Sequence, residues 1–378
     1  MTALTPVEEE HSQAVAQLIR NRIDAAGGWL TFETFMDLAL YAPGLGYYSA
    51  GDTKIGAGGD FTTAPEVSDL FSACVARQCA DVLQVTGGSI LELGAGTGRM
   101  AAKVLETLAE MGTLPDHYAI LEVSADLRDR QRERIEGLPE ALKRRVVWFD
   151  ALPTQPMRGV ILANEVLDAF PCHRLVVRND EARELGVSRT AEGEFVASER
   201  PLDDEFAAVW AQLARDLPYA LPEDYRTELC RRVEPWIASV GDCLERGVAL
   251  FFDYGLPRAH FYHPQRSRGT LRCHFKQLAH DDPFVNVGVQ DITAWVDFTG
   301  VAEAADSAGL QVSGFVTQAA FLLGLGIEGL VRDVRQSSEA RQLLMPGEMG
   351  EVFKVMALTR QFDEALAGFS VQDLRHSL

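Results

Sequence analysis

The segment best suited to binding chemistry is Glu92-Leu93-Gly94-Ala95-Gly96-Thr97-Gly98. It follows a short apolar run, Ile90–Leu93, and leads into a helical stretch from Arg99. Glycines let the chain turn sharply and bring its amides close to a ligand. Amides exposed at the start of a helix favour an anionic group, such as the carboxylate of a methionyl moiety.

Spacing separates two ligand classes. A dinucleotide site asks for G-x-G-x-x-G, which would put glycine at position 99. Arg99 stands there, and the loop ends one residue early at Gly98, in the G-x-G-x-G form of methyltransferases. S-adenosylmethionine is therefore favoured over NAD as cofactor. Glu122 ends the second strand, beside Val123, and suits ribose hydroxyls. Asp150 ends the third, beside Ala151, and suits an adenine amino group. With Glu92, Gly94, Ala95, Gly96 and Gly98 they form the expected cofactor site. A glycine turn with no ligand is the alternative, weakened by the two acidic strand ends.

Methyl transfer from a sulfonium is an in-line displacement that needs no metal. Positioning alone can supply about 7–11 kcal/mol of its barrier. Glu165 and Asp168 follow the fourth strand and, three apart, would share a face on a helical turn. Glu165 is read as the main acceptor-orienting carboxylate, with Asp168 beside it and Asn164 as a partner for cofactor or acceptor. The alternative is that Glu165 only caps a helix. A carboxylate would fix a guanidinium acceptor and accept its proton. Asp60, Phe61 and Thr63 belong to a segment ending at Glu66 that could cover the cofactor and exclude water, or pack the N-terminal helices. Asp253 and Tyr254 end the fifth strand, where Asp253 is either a pocket or a surface carboxylate. His260, His263, Cys273 and His274 are zinc-ligand types at a spacing that matches no common finger, so no metal is expected. Arg266, Arg268 and Arg272 could bind an acidic feature, but loop arginines usually face solvent.

The elements that must place these groups alternate strand and helix from Ser89 onward. Strands are expected at 90–93, 118–123, 146–149, 159–163 and 248–252, then at 310–316 and 352–359, the last as an antiparallel edge. Short, continuously apolar strands indicate a parallel sheet buried on both faces. The fold class is α/β, a Rossmann-like sheet with an N-terminal helical region and two insertions. The expected divisions are 1–88 (helices and a glycine-rich cover), 89–172 (cofactor core), 173–247 (strand meander, then helices) and 248–378 (the rest of the core, with a substrate loop at 256–289). Both insertions follow strands and should sit at the carboxyl edge, where open α/β sheets bind ligands.

Composition narrows the partners. With 35 basic and 55 acidic residues the net charge is −20, which opposes phosphate backbones and anionic membranes alike. No nucleic-acid or membrane partner is expected; a basic polypeptide is compatible, and a homodimer stays open. Six scattered cysteines without a CxxC pair suggest reduced thiols and a cytoplasmic protein.

Several motifs together resemble the MidA/NDUFAF7 family: 58–66 (GGDFTTAPE), the glycine loop, 163–171 (ANEVLDAFP), 252–255 (FDYG), 269–271 (GTL) and 290–293 (QDIT). The likeness runs from about Pro43 to about Thr359. It implies a class I methyltransferase using S-adenosylmethionine. The mitochondrial branch methylates an arginine of a respiratory complex I subunit, so the resemblance implies a polypeptide partner bearing arginine. The family pattern carries histidine after Ala294, where this chain has Trp295, which leaves room for a different substrate. Two other readings stand beside this one: a cofactor-binding assembly factor without turnover, and a small-molecule methyltransferase, for which a closed apolar pocket beneath 256–289 would speak.

Overall fold

The computed structural model describes residues 3–50 and 62–378. Its main sheet grows from short runs of Ile, Leu, Val and Phe: β1 (Ser89–Leu93), β2 (Tyr118–Leu121), β3 (Val146–Phe149), β4 (Met157–Asn164), β5 (Leu244–Leu256), β6 (Gln311–Thr317) and β7 (Phe353–Arg360). They lie in the order β3-β2-β1-β4-β5-β7-β6, with the short strand Val296–Asp297 paired off this path to the end of β5. β1 to β5 run parallel to their neighbours; β7 is antiparallel to both β5 and β6. β7 is therefore not the edge strand expected from sequence. It inserts between β5 and β6, and its run of buried residues from Phe353 to Thr359 is what an interior strand requires.

Helices cover both faces. α1 (Pro6–Ala25) and α2 (Phe32–Tyr41) precede the sheet region, α3 (Ala64–Val67) and α4 (Asp69–Thr86) lead into β1, α5 (Arg99–Glu110) follows the glycine loop, and α6 (Ala125–Glu136) follows β2. Their starts follow from sequence: Thr5 closes a capping box with Glu8, and Ser124 accepts from the Leu127 amide, satisfying otherwise orphaned donors. One apolar core joins α4 and α5 to a sheet face through Phe71, Val75, Val104 and Leu105. The other packs helices 233–242 and 298–307 on the opposite face through Ile237, Val240, Phe298 and Val301. Burying each such side chain contributes about 1.5–3 kcal/mol.

The stretch 173–247 is not a meander followed only by helices. Strands His173–Arg178, Glu181–Arg189 and Phe195–Pro201 are completed by Arg226–Leu229, which pairs antiparallel with the first. That strand is only four residues long and carries Arg, Thr and Glu, so its apolar signal is faint. A second small sheet joins 272–275 to 278–280 and 291–293. Among the described residues no helix is long and apolar enough to cross a membrane.

Candidate functional site

The strand order reverses between β1 and β4, so the loops leaving them part and open a crevice at their carboxyl ends. A cavity of about 440 Å³ lies there. Its floor is residues 93–97 after β1, its walls are Leu121–Val123 after β2 and Asn164–Val166 after β4, and its mouth carries Tyr41, Tyr48, Phe170 and Trp236.

Gly94, Gly96 and Gly98 all have positive φ (67°, 52° and 76°), the left-handed region that side chains disfavour. A Cβ on Gly94 would come within 3.3 Å of Val166 Cγ2, so the loop also needs glycine to approach the β4 turn. Arg99, which displaces the dinucleotide pattern, has a structural task. Its guanidinium donates to the Glu66 carbonyl at 2.6 Å and to Asp69 at 2.9 Å. Thr97 adds a hydroxyl bond to the Glu66 carboxylate. Together they lock the α3–α4 corner over the loop, and Thr63, Pro65 and Glu66 line the same cavity. Asp60 and Phe61 lie outside the described residues.

The acidic groups differ in environment. Glu92 is buried and accepts the Tyr118 hydroxyl at 2.7 Å; burial pushes it up to about 7. Glu122, also buried, accepts the Ser124 amide at 2.9 Å and the Gln131 amide group at 3.2 Å. Burial raises its pKa against those bonds. Gln131, which sequence reading passed over, ties the site together. It donates to the Gly96 carbonyl at 2.9 Å as well and accepts the Trp148 indole at 3.0 Å. Val123 lies in the lining and is exposed.

Asp150 and Ala151 are not among the lining residues. β3 ends at Phe149, and Asp150 turns outward to pair with Arg128 at 2.5 Å with 89% of its side chain exposed. Gly98 shapes the turn as the residue before α5 rather than lining the cavity.

After β4 no helix follows, so Glu165 caps none and does not share a helical face with Asp168. Glu165 sits at φ 52° and lines the cavity, while Asp168 is buried and does not line it. Asn164 donates to the Glu165 carboxylate at 3.1 Å. Burial, then the charge of Asp168, raises the Glu165 pKa well above the carboxylate range; the Asn164 side chain and the Ala64 amide oppose this. Asp168 is raised by burial and by Asp253 and Asp291. Burial favours the neutral form of such a carboxylate, and a cation beside it favours the charged form. The Asn164 carbonyl oxygen is buried with no hydrogen-bond partner, an acceptor turned to a cavity that awaits a donor. That orphan, the glycine cradle and Glu122 fit a polar nucleoside bearing an amino acid.

The mouth holds groups the sequence did not single out. Asp37 and Tyr41 are four apart on α2, a spacing that could have drawn attention to them. Asp37 pairs with Arg232 at 2.5 Å, and Arg232 also reaches Glu33 at 2.9 Å. Tyr48 donates to Asp291 at 2.9 Å and Tyr41 to the Ala169 carbonyl at 2.9 Å. No residue of 256–289 lines this cavity. Arg258, Phe261 and Tyr262 instead border a neighbouring one of about 520 Å³ that also contains Trp295 and shares Phe170. Arg266 lies over the Trp295 ring at 4.9 Å, while Arg272 is exposed and pairs with Asp281 at 2.7 Å. Among the described residues, His260, His263, Cys273 and His274 form no group able to hold a metal.

Comparison with known proteins accords with this geometry. Residues 74–316 match the family model Methyltransf_28, described as "Putative S-adenosyl-L-methionine-dependent methyltransferase". A protein of Burkholderia thailandensis, crystallised with S-adenosyl-homocysteine, is 40% identical, covers 100% of both chains and superposes with a TM-score of 0.95. Protein arginine methyltransferase NDUFAF7 homolog of Drosophila melanogaster is 28% identical over 94% of this chain and 87% of its own. Its counterpart in Danio rerio is 26% identical over 92% and 87%.

Proposed function

Since this chain belongs to the S-adenosyl-L-methionine-dependent methyltransferase family whose model it matches, we propose that it methylates an arginine side chain of a polypeptide. The observation that carries the reading is the half-buried Glu165 carboxylate, bonded to Asn164 in the same cavity as the glycine loop. The names of the distant animal relatives support it.

The cofactor, when bound, supplies a methyl group on a sulfonium. We assign its amino acid portion to the amides of Gly94, Ala95 and Gly96, and its ribose to Glu122. The free Asn164 oxygen accepts from its amino group or from the acceptor. Glu165 binds the incoming guanidinium, replaces a proton with that cation and localises charge away from the reacting nitrogen. Once the nitrogen is alkylated its extra proton passes to Glu165. Tyr41, Tyr48, Phe170 and Trp236 flank the acceptor and keep water away. Asp37 reaches the mouth paired with Arg232, and with Glu33 on the same guanidinium the trio keeps one net negative charge.

The test is incubation with isotopically labelled S-adenosylmethionine and a peptide array, followed by mass spectrometry of modified residues. Label on arginine supports the reading. Label confined to lysine or to small molecules refutes it, and cofactor binding without any turnover points to an assembly factor.

A further inference from the structure

The acceptor carboxylate stands on a backbone that its own residue type disfavours. Glu165 has φ 52°, where a Cβ crowds the chain and only glycine is at ease. Something must hold it there. The Glu165 amide donates to the Phe252 carbonyl at 2.8 Å, which extends the β4–β5 ladder one step past Asn164 and Phe252. The next residue of β5 then reaches across. Oδ2 of Asp253 accepts three successive amides, from Val166 at 3.2 Å, Leu167 at 2.9 Å and Asp168 at 3.3 Å. Its Oδ1 accepts the Tyr254 amide at 2.9 Å. Asp253 is 1% exposed and does not line the cavity, so it touches neither cofactor nor acceptor there.

We propose that Asp253 is a positioning residue that holds the 165–168 turn and thereby aims Glu165 at the methyl acceptor. The geometry is specific. Three consecutive amides pointing to one oxygen form an anion-binding concavity, and only an acceptor-only side chain serves all of them without offering a donor. The location is costly. Burial and the charge of Glu165 raise the pKa of Asp253. An apolar residue would avoid that penalty, so the carboxylate is explained by the turn it secures rather than by core packing. This inference rests on the reading of Glu165 as the acceptor-orienting group.

Two measurements separate the clamp from that reading. The first is hydrogen exchange across residues 164–170, with S-adenosyl-homocysteine calorimetry, in the wild type and in Asp253→Ala. Removing the shared acceptor from three amides should speed their exchange by at least about 10-fold. Cofactor affinity should stay within about 3-fold, because the glycine loop and Glu122 are untouched. Should Asp253→Ala fail to fold, Asp253→Asn takes its place: a neutral amide oxygen holds the three amides more weakly than a carboxylate and leaves the Tyr254 amide without its acceptor, so exchange at 166–168 should still speed, by less than in Asp253→Ala. The second is a cycle of Asp253→Ala, Glu165→Ala and the double variant, read as kcat and KM on an arginine peptide. A positioning role predicts a kcat loss of about 10- to 100-fold in the first variant and almost no further loss when Glu165 is already gone. Independent, multiplicative losses, or unchanged exchange at 166–168, overturn the clamp. If the wild type methylates no arginine, the functional reading fails, and the exchange arm alone decides the clamp.

Discussion

Replacing Gln131 with leucine should loosen the cofactor site more than any substitution of a residue that the cofactor would itself touch through a single bond. Gln131 is fully buried and makes three hydrogen bonds, to the Gly96 carbonyl, the Glu122 carboxylate and the Trp148 indole. Leucine matches its bulk but takes one hydrogen bond from each of the three partners, of which Glu122 keeps the Ser124 amide. An orphaned buried group costs about 1–3 kcal/mol. Trp148 is only half-buried, so the penalty falls mainly on the other two groups, at most about 2–6 kcal/mol in all. Both line the cavity, and the share expressed there should weaken S-adenosyl-homocysteine by about 10- to 100-fold, or about 1.4–2.7 kcal/mol. Isothermal calorimetry measures this directly, and thermal melting without ligand reports the remainder. Gln131→Glu should be worse, because a carboxylate cannot donate to Gly96 and would repel Glu122. If Gln131→Leu binds within twofold of the wild type, the claim that this side chain sets the loop against Glu122 is wrong.

Further outcomes follow from the same geometry. Glu92, held near 7 by burial, binds a proton more tightly folded than unfolded, so its contribution is complete below its ordinary value near 4.5 and disappears as pH rises through about 7. Glu92→Gln, which still accepts from Tyr118, should flatten the fall in stability between pH 5 and pH 8 by roughly 2–3 kcal/mol in urea unfolding; an unchanged slope would show that Glu92 ionises normally. Asp150→Ala should leave cofactor affinity within about twofold and stability within about 0.5 kcal/mol, since its side chain faces solvent beside Arg128. A 10-fold loss in calorimetry would instead restore Asp150 to the cofactor site.

The core of this architecture is legible in the sequence because local signals and tertiary demands agree there. The apolar run before Gly94 has to be a buried strand, and three glycines at that spacing have to turn. What the sequence hides is pairing. Phe353–Arg360 reads as a strand, but nothing in its residues says that β5 and β6 will flank it. Arg226–Leu229 is hidden by brevity and polarity, since its partner 173–178, far along the chain, decides its state. The site divides in the same way. Glu122 and Glu165 follow strands directly and inherit their placement. Asp150 also follows a strand, yet the proximity of Arg128 on α6 draws it outward. Gln131 sits in a helix of alternating charges, ADLRDRQRERIE, where a glutamine looks like one more solvated residue. Asp253 reads as either a pocket or a surface carboxylate because its three amide donors belong to a turn 85 to 87 residues away.

Single-turnover transfer to an arginine peptide, with cofactor saturating, compares the wild type with Glu165→Gln most tellingly. Glutamine keeps the shape and the Asn164 contact but can neither pair with a guanidinium nor take its proton. The rate should fall at least about 100-fold while S-adenosyl-homocysteine affinity stays unchanged. Equal rates for the two proteins would contradict the assignment of Glu165 to the acceptor.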